Sequence, residues 1–175
     1  MLELKSSEWS KIRASAGGNG LLTAELLQQL YDSDESAWSE FYQQVCHQYT
    51  VGETAYVAVP HLVEIARIKE DQNFRALMLS TVGTIVASMY VYRAPNMRDE
   101  WKMEFVNACE EACRLAALML QQRGLDKSTS FILISTLAAL HGHTNLAMLM
   151  QDGENFWCPE CGEYIDYGIV EQQIL

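Results

Sequence analysis

The apolar residues of this chain recur with the period of an α-helix, and that rhythm restricts it to a largely helical body. Trp101, Phe105, Cys109, Ala112, Ala116 and Met119 are spaced three or four apart. They therefore share one stripe of a helix turning once every 3.6 residues. The same spacing groups Leu22, Leu26, Leu27 and Leu30, then Trp38, Phe41, Tyr42 and Val45, then Tyr56, Val59, Val63 and Ala66.

Breaks between these stripes place the helices. Gly17-Gly18-Asn19-Gly20 interrupts the chain after a short amphipathic N-terminal piece. Asp32-Ser33-Asp34-Glu35 reads as a turn whose acidic residues favour the start of the next helix through its dipole. That helix is expected to end near Thr50-Val51-Gly52. A third follows over 53–69, with Pro60 removing one internal hydrogen bond and predicting a kink. A fourth, broadly apolar helix covers 71–92 and stops at Arg93-Ala94-Pro95-Asn96. The longest covers 97–123 and ends at Gly124. Asp126 or Ser128 caps a helix reaching about Leu140. His141-Gly142-His143 breaks it, and Thr144 to Gln151 adds a short one. From 152 to 175 the chain has three glycines, many aromatics and no Lys or Arg, which suggests short strands. The expected organisation is a helical domain over 1–151 with a small CxxC-containing β element over 152–175 packed on it. Helix pairs joined by short turns suggest an α-solenoid, and on pattern alone a compact bundle is an equal choice.

Composition narrows the class. The chain has 175 residues, 49% hydrophobic and 20% charged, enough apolar surface for one folded domain. Twelve Lys and Arg against 23 Asp and Glu give a net charge of −11, which argues against binding a phosphate backbone. Met1 to Lys5 lacks the apolar core of a signal peptide. The longest uncharged run, 76–92, is short for a membrane span and carries Ser80, Thr81, Gly83, Thr84 and Ser88, so it reads as a buried helix. Five cysteines, an odd number without secretory context, point to reduced thiols in the cytoplasm.

The sharpest motif is Cys158-Pro159-Glu160-Cys161-Gly162. Two thiolates separated by two residues can chelate one Zn²⁺ through a tight turn. A tetrahedral site needs two more ligands, for which His141, His143, Cys109 and Cys113 are the candidates. The rival readings are a turn that binds nothing and a redox dithiol. Cys109 and Cys113 share a helix face and read first as core. Cys46 and His47 are adjacent, which places them poorly for a nucleophile–base pair. His47, His61 and Glu64 form a second possible cluster, chemically able to do general acid–base work; hydrogen bonding of His47 and Gln48 to loop backbone at the hairpin turn is the preferred reading. No phosphate loop, nucleophile elbow or dinucleotide fingerprint occurs, and no catalytic residue is assigned.

The stretch from Trp38 to Ala66, WSEFYQQVCHQYTVGETAYVAVPHLVEIA, resembles bacterial HEAT-repeat-like proteins of poorly defined function. In those, a His-Gln pair precedes a helix of AAVPYLVEIA type. They also carry a late stretch like Ala138-Ala139-Leu140-His141-Gly142-His143 and then a CPxCG element like Cys158 to Gly162. The resemblance covers roughly 35–165. It implies a right-handed stack of antiparallel helices, and some proteins of this kind resemble immunity proteins that neutralise a toxin from the same locus.

Charge placement bears on the same question. Residues 152–175 hold six carboxylates, including Glu160, Glu163 and Asp166, and no cation. Residues 32–40 add Asp32, Asp34, Glu35 and Glu40. Two acidic patches on a nearly neutral body suit a basic protein partner; simple solubility explains them equally well. The expected function is a cytoplasmic protein-binding module, an immunity protein against a basic toxin being the leading form. A zinc-containing enzyme and a self-assembling structural protein are the alternatives.

Overall fold

A computed structural model describes residues 1–91, 94–152, 156–157 and 164–165. Among them are seven α-helices and two short antiparallel hairpins. None of these helices is long and apolar enough to cross a membrane.

The N-terminal piece belongs to the core. A 3-10 turn over Ser7–Lys11 carries Trp9, which is fully buried and donates from its indole to the Glu3 carbonyl at 3.0 Å. Helix α1, Leu21–Tyr31, buries Leu26, Leu27 and Leu30 as the spacing predicts. Leu22 does not join them: it is 37% exposed, and Thr23 takes the inward position. Asp34 then caps a 3-10 turn over Glu35–Ala37 that leads into α2, Trp38–Val45. Phe41 and Val45 are buried there, and Trp38 donates to Thr81 at 3.0 Å.

Helix α2 stops five residues earlier than the periodicity implies. Cys46–His47 (β1) pairs antiparallel with Thr50–Val51 (β2). The connecting Gln48 and Tyr49 both have positive φ, 48° and 60°, as a two-residue turn matched to strand twist requires. Residues 13–15 lie directly on this hairpin. A Cβ on Gly52 would sit 2.4 Å from the Ser15 nitrogen, so only glycine allows the close approach.

Helix α3, Glu53–Ile68, is buried on nearly every side and stays helical both before and after Pro60. Helix α4, Gln72–Val91, starts where the Asp71 carboxylate accepts from the Phe74 amide at 2.7 Å. Helix α5, Asp99–Leu120, turns Trp101, Phe105, Ala112, Ala116 and Met119 inward as expected. Cys109 lies half-buried at the margin of that stripe, while Ala108 and Leu115 complete it. Gly124, at φ +91°, ends this region. Asp126 is the capping residue of α6, Lys127–Leu140, and accepts from the Thr129 amide. Gly142, at φ +82°, separates α6 from α7, Thr144–Asp152.

Helix α3 packs on α4 and α5, and α6 packs on α4, α5 and α7. Helix α4 is therefore the central element, and Gly83 lets α6 approach it closely: a Cβ there would meet Thr136 Cα at 2.9 Å. At the C-terminal end Phe156–Trp157 (β3) pairs antiparallel with Tyr164–Ile165 (β4).

Candidate functional site

Two surface features have the chemistry of a site. The first is the acidic stretch made by the α1–α2 loop and the first turn of α2. Asp32, Asp34, Glu35 and Glu40 are all exposed. Asp34 serves the fold, since its Oδ1 accepts from the Ser36 amide at 3.1 Å and the Ser36 hydroxyl at 2.6 Å. Asp32 lies 3.4 Å from the Gln28 amide nitrogen. Lys69 reaches this loop, but its ammonium donates to the Tyr31 carbonyl and, at 2.7 Å, to the Ser33 hydroxyl. None of the four carboxylates takes part in an ion pair among the described residues. Elsewhere several acids are neutralised locally: Glu64 and Glu111 form two-point pairs with Arg67 and Arg114 that hold their carboxyls below the usual range. The four carboxylates from Asp32 to Glu40 thus keep their charge without an ion pair among the described residues, with the Lys69 ammonium held beside them on Ser33.

The second feature is a groove of about 430 Å³ where α4, α5 and the end of α6 meet. Val86, Met89 and Tyr90 come from α4, and Phe105, Val106, Cys109, Glu110 and Cys113 from α5. Leu140 and His141 close it from α6. Cys113 is half-buried, and its Sγ lies 3.4 Å from Nε2 of the exposed His141, within hydrogen-bonding reach for sulfur. Cys109, one turn earlier, also lines the groove and is half-buried. Burial, reinforced by the Glu110 charge, pushes that thiol up to about 12.

The other sequence candidates separate. Cys46 and His47 sit on successive strand residues and so face opposite ways, one buried and one exposed. Burial raises the Cys46 thiol, which lies 3.7 Å from the Ser88 hydroxyl. His47 contacts the Gln43 side chain at 2.5 Å. His61 is buried and points elsewhere: Nδ1 is 3.2 Å from the Tyr31 hydroxyl and Nε2 is 2.8 Å from the Leu2 carbonyl. Glu64 is held by Arg67, so His47, His61 and Glu64 form no shared site.

Cys158, Cys161, Glu160, Glu163 and Asp166 lie outside the described residues. Among the described residues no group of three or more His, Cys, Asp or Glu side chains could hold a metal ion. The Cys113–His141 contact is the part of the site the sequence signalled least. Both residues stood out as donors, but only the packing of α5 on α6 joins them. Comparison of the chain with protein-family models, curated proteins and solved structures finds no match in any of the three.

Proposed function

We propose that this chain is a cytoplasmic protein-binding module of HEAT-like construction whose partner is a basic protein, with toxin neutralisation as its leading form. The observation that carries the reading is the exposed acidic stretch of Asp32, Asp34, Glu35 and Glu40, none of which is in an ion pair among the described residues, whereas Glu64 of α3 and Glu111 of α5 are paired locally. An unquenched field of one sign raises the encounter rate with a partner of the other sign. The HEAT-like part is supported by helix contacts that skip one neighbour, α1 on α3, α3 on α5 and α4 on α6, as stacked helix pairs make them. The test is co-expression with the product of the adjacent gene. Growth rescue together with a complex surviving size exclusion supports the reading. No complex, combined with turnover in a substrate screen, sinks it.

Zinc is part of the same proposal. The pairing of β3 with β4 favours it, because that hairpin has Cys158 and Cys161 on its connection. The two thiolates would supply half of a tetrahedral donor set, and their role would be to fasten the hairpin. Metal analysis of the purified chain tests this: one zinc per chain, lost in Cys158→Ser, is expected, and a metal-free native protein rejects it.

A further inference from the structure

The groove between α4, α5 and α6 has a use that protein binding does not call on. We propose that Cys113 and His141 form a thiol acylation site, with the groove holding the chain of a long-chain acyl thioester.

Three observations converge on it. Sγ of Cys113 and Nε2 of His141 are 3.4 Å apart, so the tautomer with its proton on Nδ1 offers the thiol proton an acceptor. His141 is exposed and Cys113 half-buried, so an electrophile can reach the sulfur. The adjoining groove, about 430 Å³, falls in the range of roughly 300–1,000 Å³ typical of small-molecule sites. Val86, Met89, Phe105, Val106 and Leu140 give it mainly apolar walls, with Glu110 as the one carboxylate in the lining. Such walls favour a ligand whose affinity grows with each buried methylene. Tyr90, 74% exposed, stands at the opening.

The step balances without an added oxidant or reductant. His141 Nε2 accepts the Cys113 thiol proton, and the sulfur attacks the thioester carbonyl carbon. The tetrahedral adduct collapses with loss of the donor's sulfur, which takes the proton back from the imidazolium. The products are S-acyl Cys113 and a free thiol. The other described cysteines lack this arrangement. Cys46 is fully buried against Ser88, and Cys109 has its thiol held protonated by its surroundings.

The test incubates the full chain with a hexadecanoyl thioester or an acetyl thioester and maps the modified peptides by mass. A single acyl group on Cys113 is expected, added at least about tenfold faster from the long-chain donor. His141→Gln should slow it by about tenfold or more. Val106→Gln, at the groove wall, should narrow the chain-length preference, and Cys113→Ser should remove the label. Modification spread over several cysteines, an unchanged rate in His141→Gln, or equal rates for the two donors overturns the proposal. So does a Cys113 that reacts only after a chelator has stripped metal from the protein, because it would then be a metal ligand. Protein binding is scored separately by the complex with the basic partner, so either idea can fail alone.

Discussion

His61 and Leu2, 59 residues apart in sequence, are joined by a hydrogen bond of 2.8 Å from the imidazole Nε2 to the backbone carbonyl. The Tyr31 hydroxyl, 3.2 Å from Nδ1, completes the ring's partners. With the proton on Nε2 the tyrosine donates to Nδ1, so the neutral ring is fully bonded and the N-terminal segment is tied to α3. Burial is the main reason the ring's pKa is lowered from 6.5, and the nearby N-terminal charge acts the same way. The Leu2 carbonyl, Glu104 and Glu64 oppose the shift in part.

A pH dependence follows. The folded chain keeps His61 neutral where the unfolded chain takes up a proton, so stability is complete above about pH 6.5 and falls as pH drops below it. Urea denaturation of the wild type at pH 7 and pH 5 should show this loss. His61→Gln, which retains a donor and cannot titrate, should lose less stability than the wild type between those two values. Truncation by His61→Ala should cost about 2 kcal/mol at pH 7, since it removes a buried ring and leaves its half-buried partners Leu2 and Tyr31 unbonded. A variant as pH-dependent as the wild type would remove His61 from this role.

Thr23 gives a prediction of the opposite sign. Its hydroxyl is buried on α1 with no hydrogen-bond partner among the described residues. Replacing an unsatisfied buried hydroxyl by a methyl group removes a desolvation penalty. Thr23→Val should therefore stabilise the chain by about 1 kcal/mol. A lower denaturation midpoint in this variant would mean that the hydroxyl is paired in solution.

Gly83 tests the close contact of α4 with α6. In a free helix, Gly→Ala gains about 1 kcal/mol of propensity. Here the new methyl would press on the Thr136 backbone, 2.9 Å away. Overpacking of this kind costs about 1–3 kcal/mol, so the substitution should lower thermal stability despite the better propensity. A raised midpoint would show that α6 moves aside freely.

These contacts also mark what the sequence conveys and where it stops. Stripes such as Trp101, Phe105, Ala112 and Met119 were legible because a helix keeps the same face inward over 22 residues. The stop at Gly124 and the cap at Asp126 were legible from local backbone chemistry. The β1–β2 hairpin was not: its turn uses Gln48 and Tyr49 at positions where Asn-Gly is the usual signal, so helical periodicity seemed to run on. The exposure of Leu22 depends on where α1 meets its neighbours, which spacing within α1 does not encode. Cys113 and His141, 28 residues apart, become neighbours only through tertiary packing. His61 belongs by residue type to a cluster able to do acid–base work, but its partners are Leu2 and Tyr31, which carry no motif.

The acidic loop yields the last prediction. Combining Asp32→Asn, Asp34→Asn and Glu35→Gln removes the loop's three carboxylates and leaves Glu40 on α2. Asparagine at 34 keeps a side-chain oxygen for the Ser36 amide, so the 3-10 turn and the fold should survive. Association with the basic partner should slow by about tenfold at low ionic strength, because the loop's field contributes chiefly to encounter. The gap between variant and wild type should close as salt rises and screens that field over a shorter distance. Stopped-flow association at several salt concentrations measures both effects. Equal association rates at low salt would place the partner's contact elsewhere and leave solubility as the work of these four residues.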